Sequence, residues 1–190
     1  MVKLEKELKE AIIDMPQKEK DRLLLRLIAK DIHLVNQLHF KLLEGEGATQ
    51  ERKEEVKDYI QRRAELYPGR YYSPGYLMME MRDCSGMINE YRSITKDKVG
   101  EIELQLYMLV SLLKPNIKKL ISASPRKVTK FTPYVIKRVG KIIGLLEKLH
   151  EDYYIEFDKE LKLLGELIKC LDPDDKVARA HQIDLQLLYD

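Results

Sequence analysis

Two cysteines, Cys84 and Cys170, are all that the 190 residues contain. One pair cannot build a disulfide framework, and a reduced pair of the cytosolic kind is the simpler expectation. No window approaches the roughly 18 apolar residues that a membrane-crossing helix needs. The opening MVKLEKELKEAII alternates charges and lacks the unbroken apolar run of a secretory signal. Together these absences predict a cytoplasmic protein with no membrane segment. Convincing alternation of apolar and polar residues is missing too, which removes the signature of a half-buried strand. No sequence repeat is evident.

Absences also thin the catalytic possibilities. Glu147-Lys148-Leu149-His150 has the Glu-x-x-His spacing of a di-iron bundle, but that site needs a second such motif and two more inward glutamates. The second motif does not occur, and His33, His39 and His181 lack ligand partners at suitable spacing. Gly140-Lys141 is not followed by Ser or Thr, so it is no phosphate loop. Glu44-Gly45-Glu46-Gly47 is glycine-rich but acidic and would repel a phosphate. Asp83-Cys84-Ser85-Gly86 offers nucleophile residue types without a nameable base or oxyanion hole, and packing is the expectation there. No enzyme activity, cofactor or metal is predicted.

What is present is charge and amphipathic periodicity. Charged residues make up 35% and apolar residues 44%, which suits a soluble, helix-rich globule. A chain this long buries around 70% of its unfolded surface and folds without metal or disulfide staples. Leu4, Leu8, Ala11 and Ile12 mark a first helix, ended at Met15-Pro16. Leu24, Leu27 and Ile28, then Val35, Leu38 and Leu42, mark a hairpin broken near Lys30-Asp31; one continuous helix is the alternative. Thr49 is expected to cap a helix from Gln50 to Tyr67, with Val56, Ile60 and Ala64 inward. Ser73-Pro74 opens another, reaching about Ile94. Thr95 or Asp97 starts the next, with Ile102, Leu106, Leu109, Val110 and Leu113 as its stripe until Pro115 breaks or kinks it. A short piece covers Asn116 to Ile121, and SASPRKVTKFTP reads as a basic loop.

Thr132 and Pro133 then read as the cap and first turn of a helix to Leu149. Its apolar face carries Val135, Val139, Ile142, Ile143, Leu146 and Leu149, and Lys137, Lys141 and Lys148 project opposite. The seam continues to Leu171, with a kink or break expected around Tyr153 to Leu161. Asp172-Pro173 opens a last helix. The predicted fold is all-α: an irregular bundle or array of αα-hairpins, about seven to nine helices, no sheet. It is read as a single helical domain over 1–190, with a candidate subdivision near 68–75.

Three features carry the functional reading. From Leu104 to Leu146 there is no acidic residue but nine basic ones, whereas Glu147 to Asp190 holds twelve acidic residues against six basic. Lys118, Lys119, Arg126, Lys127, Lys130, Lys137 and Lys141 form a candidate anion-binding or partner-binding surface. The competing expectation is that the acidic final third docks beside it and neutralises it. Gly140 and Gly144 each cost a helix about 1 kcal/mol relative to alanine, which points to close approach of a backbone or a ligand. Tyr71, Tyr72 and Tyr76, in the non-helical stretch from Tyr67 to Tyr76, form a candidate recognition loop, or else close the end of the bundle. The leading expectation is a helical module that binds a protein partner. The alternative is nucleic acid or another polyanion bound through 114–141. Either is compatible with a homo-oligomer.

Overall fold

The computed structural model describes residues 3–66, 73–150 and 152–189. The described residues are about 81% helical, with no strand among them. Two compact units are formed, Met1–Gly45 and Glu46–Asp190. The candidate subdivision near 68–75 lies largely outside the described residues. The helices on either side of it pack against each other in the second unit.

The first unit contains α1 (Lys6–Asp14), α2 (Gln17–Ile28) and α3 (Ile32–Leu43). The hairpin reading is the right one. Asp31 adopts extended backbone, and its carboxylate accepts from the amides of His33 and Leu34, so it caps α3 and prevents one continuous helix. No residue of these three helices is buried. Among its described residues the unit has no buried core.

The second unit is built around α6 (Lys98–Leu113). Leu104, Met108 and Leu112 are as buried as Ile102, Leu106 and Leu109, so α6 is apolar nearly all round, the mark of a central helix. It packs against α4 (Ala48–Leu66), α5 (Pro74–Thr95), α9 (Phe131–Leu146) and α10 (Asp152–Leu171). Between them lie two short pieces, α7 (Ile117–Ile121) and α8 (Pro125–Val128), and α11 (Lys176–Ala180) follows α10. Ser73 and Asp97 cap α5 and α6 through the amides of Tyr76 and Gly100.

Several local expectations need correction. α4 begins at Ala48, so Thr49 lies inside the helix rather than capping it. Here Gly47, at φ 98°, makes the turn that a side-chain cap would otherwise stabilise. Within the presumed basic loop, Pro125 nucleates the single turn α8. α9 starts at Phe131 rather than Thr132, and Thr132 is buried. The turn from α8 carries the chain into α9 without a side-chain cap. α9 stops at Leu146, and α10 runs unbroken through Tyr153 to Leu161, so the break comes earlier than the register suggested. The last helix starts at Lys176, although Asp172 still serves it: its carboxylate accepts from the amides of Val177 and Ala178.

Candidate functional site

The acid-free stretch folds into α7, α8 and α9. Lys114, Lys118, Arg126, Lys127, Lys130 and Lys137 are exposed, and none has a carboxylate partner among the described residues. Lys119 is exposed as well. α8 and α9 both pack against α5, which places Arg82 beside them. The guanidinium carbons of Arg82 and Arg138 lie 5.5 Å and 5.3 Å from the centre of the Tyr134 ring. At those distances each cation is attracted by the ring quadrupole and held in place.

Lys141 is different. Its Nζ donates to Glu101 Oε1 at 2.9 Å, and Glu101 Oε2 lies 3.3 Å from Arg92 Nε. Glu101 is only 7% exposed, so one buried carboxylate holds two cations. The partner that neutralises Lys141 therefore comes from α6, not from the acidic final third. Several carboxylates of that third are engaged locally. Asp172 binds backbone amides, Asp174 pairs with Lys176 at 2.8 Å, Asp175 accepts from Tyr189, and Asp158 pairs with Lys162. The two lysines should therefore respond differently to charge reversal. Lys137→Glu should change stability by less than about 0.5 kcal/mol, as exposed positions usually do. Lys141→Glu should lose about 2 kcal/mol, because it sets a second carboxylate against buried Glu101; the partial exposure of Lys141 keeps the loss below that of a fully buried pair. Urea denaturation of both single variants checks this.

The two candidate glycines also separate. A Cβ on Gly140 would lie 2.9 Å from Ile183 Cδ1 and 3.1 Å from Ile183 Cγ1, so the close approach is by the segment that follows α11. A Cβ on Gly144 would meet nothing within 4 Å. Gly144→Ala should stabilise by up to about 1 kcal/mol through helix propensity. Gly140→Ala should lose about 1 kcal/mol net, since crowding a β-branched neighbour outweighs that gain. Opposite signs in urea midpoints are the expected result. A third glycine, not singled out by spacing, is crowded by backbone: a Cβ on Gly165 would run into the backbone carbonyl of Leu188.

Of the tyrosine cluster, Tyr71 and Tyr72 lie outside the described residues. Tyr76 belongs to the first turn of α5 rather than to a loop and is exposed. Cys84 is buried in α5. Burial, helped by the nearby Glu80, pushes its thiol up to about 12, so it stays protonated at neutral pH and is a poor nucleophile. Ser85 next to it donates to the Met81 carbonyl at 2.6 Å. Glu147 sits in the turn after α9 and His150 before α10, so a helix no longer sets their spacing.

A groove of about 490 Å³ lies between α6 and α10, and no sequence signal pointed to it. Leu106, Val110 and Phe157 line it, with Glu103, Glu156 and Glu160 among its polar residues. Glu103 accepts from Lys53 at 2.7 Å and pairs with Lys57 at 2.6 Å. Burial alone would raise its carboxyl, but the two ammonium groups outweigh burial and hold it below the ordinary 4.5. A carboxyl with a depressed folded-state pKa binds its proton more weakly folded than unfolded. Its stabilisation is therefore complete above about pH 4.5 and is lost as pH falls through the folded value. Unfolding free energy should drop with pH below about 4.5, and Glu103→Gln should flatten that part of the profile.

Comparison with protein-family models, with curated proteins and with solved structures finds no match for this chain.

Proposed function

We propose that this protein is a helical interaction module that docks a partner protein through the apolar faces of its first unit, and that it works by binding rather than catalysis. One observation carries the reading. Leu8, Ile13, Leu24, Leu25, Leu27, Ile32, Leu42 and Leu43 are all exposed, as is Leu4 just before α1, and none of the three helices buries a residue. An amphipathic helix gains most of its stability by burying its apolar stripe against another element. Monomeric proteins rarely leave large contiguous apolar surface in water, and such surface marks an interaction site. Helices presented in this way suit the mode in which an apolar face is laid against a hydrophobic surface of the partner.

The test compares the full chain with its Leu24→Asn, Leu27→Asn variant. Both positions are more than half exposed (57% and 52%), so the substitutions should leave the second unit's thermal transition unchanged. Proteins recovered with the tagged full chain from source cells are identified, purified and titrated against both forms by calorimetry. The expected result is a purified partner whose affinity falls at least tenfold in the variant. Equal affinity for every purified partner would refute the reading. Sedimentation of the chain alone decides the identity of one such partner: self-association lost in the variant makes it a second copy.

A further inference from the structure

We infer that the face built by α8 and α9, with Arg82 of α5, binds the sugar–phosphate backbone of nucleic acid without reading its sequence. Arg126 and Lys127 stand on α8, Lys130 on the turn after it, and Lys137 two helical turns further along α9, about 10 Å away along the axis. All four are exposed and lack a carboxylate partner among the described residues. Arg138 and Arg82 extend the row, both drawn to the Tyr134 ring. A guanidinium held in this way loses less freedom when its planar fork meets a phosphate. Asp83 is the next residue on α5, but one residue further along a helix is about 100° around it from Arg82.

What favours phosphates over an acidic protein is the absence of an apolar anchor on α8 and α9. Protein interfaces centre on buried apolar and aromatic side chains. Between residues 125 and 146 no large apolar residue is exposed: the α9 stripe from Val135 to Leu146 is committed to the core. The exposed side chains of α8 and α9 are therefore mainly cationic, although on α5 Met79, one helical turn before Arg82, is 56% exposed. Lysines and arginines that neutralise backbone phosphates release condensed counterions, and that release drives association without further contacts. The binding should be strongly salt-dependent, indifferent to sequence and separate from the docking proposed for the first unit.

The experiment measures fluorescence anisotropy of a labelled 20-nucleotide single-stranded RNA and a 20-base-pair DNA duplex with the full chain, from 50 to 200 mM salt. Both probes should bind, and log K should fall linearly with log salt. The triple variant Lys127→Glu, Lys130→Glu, Lys137→Glu should keep its thermal transition. It should bind at least about 30-fold more weakly at 100 mM salt, with the salt slope smaller by about two to three. A matched variant, Lys9→Glu, Lys41→Glu, Lys159→Glu, makes the same change in net charge at exposed positions elsewhere. It should lose less than threefold. Equal losses in the two triples would mean that net charge rather than this face attracts the probe, and the inference fails. It fails too if neither probe binds at 50 mM salt. Binding to anionic lipid vesicles or polyglutamate with none to either nucleic acid would likewise overturn it.

Discussion

Phe131→Ala should lower the free energy of unfolding by about 3–5 kcal/mol, the range for removing a buried aromatic side chain from a packed core. Phe131 is 1% exposed and is the first residue of α9. It is the heaviest apolar anchor at the point where the chain leaves the exposed α8 turn and enters the core. Truncation removes the transfer free energy of the ring and leaves a cavity that packed helices only partly close. In urea the midpoint should fall with the slope unchanged. Phe131→Leu, which keeps most of the volume, should lose clearly less. The consequence for function is positional. Lys127 and Lys130 lie within four residues before Phe131, and Lys137 lies six after it, so loosening this anchor changes the spacing of those cations. A loss below about 1 kcal/mol would mean that the ring is not part of the core.

The second large effect is expected from Gly165→Ala. Gly165 lies within α10, where alanine would ordinarily add about 1 kcal/mol of helix stability. Here the sign should reverse. The new Cβ would collide with the Leu188 carbonyl, a backbone atom that cannot rotate away as a side-chain end can. Either α10 shifts or the final segment lifts. That segment is held by Leu185 and Leu188, both buried, by the Tyr189 hydroxyl donating to Asp175, and by Lys169 lying 4.1 Å from the Tyr189 ring. A net loss of up to about 3 kcal/mol is expected, with faster amide exchange confined to residues 181–189. Stabilisation in urea would show that the terminal segment does not lie on α10.

Helix identity and facing were largely legible in the sequence. Ser73 caps where it was expected, Asp31 caps at the expected break, and of the two candidates Thr95 and Asp97 it is Asp97 that caps α6; Val135, Val139, Ile142 and Leu146 are buried as their spacing required. Both signals are local. A side-chain cap acts within three residues, and a periodic stripe repeats within one turn. Boundaries at Thr49, Thr132 and Leu149 were misplaced; the first turned on the conformation of Gly47 and the second on the burial of Thr132, which no short-range pattern encodes. The uneven distribution of charge was equally plain, as was the run of cations from Lys114 to Lys141. Whether those cations were available was not.

That question belonged to tertiary structure. Lys137 and Lys141 are alike in sequence, four residues apart on one helical face. Only the packing of α9 on α6 brings Glu101 to Lys141, while Lys137 has no carboxylate partner among the described residues. Gly140, Gly144 and Gly165 are likewise alike in sequence, and only the path of the last residues crowds the first and third and leaves the second open. The exposed stripes of α1, α2 and α3 follow the same division. Periodicity decides that a helix has an apolar face, because side-chain direction is fixed by the turn. Burial of that face requires a second surface, and its presence depends on contacts between residues far apart in the chain.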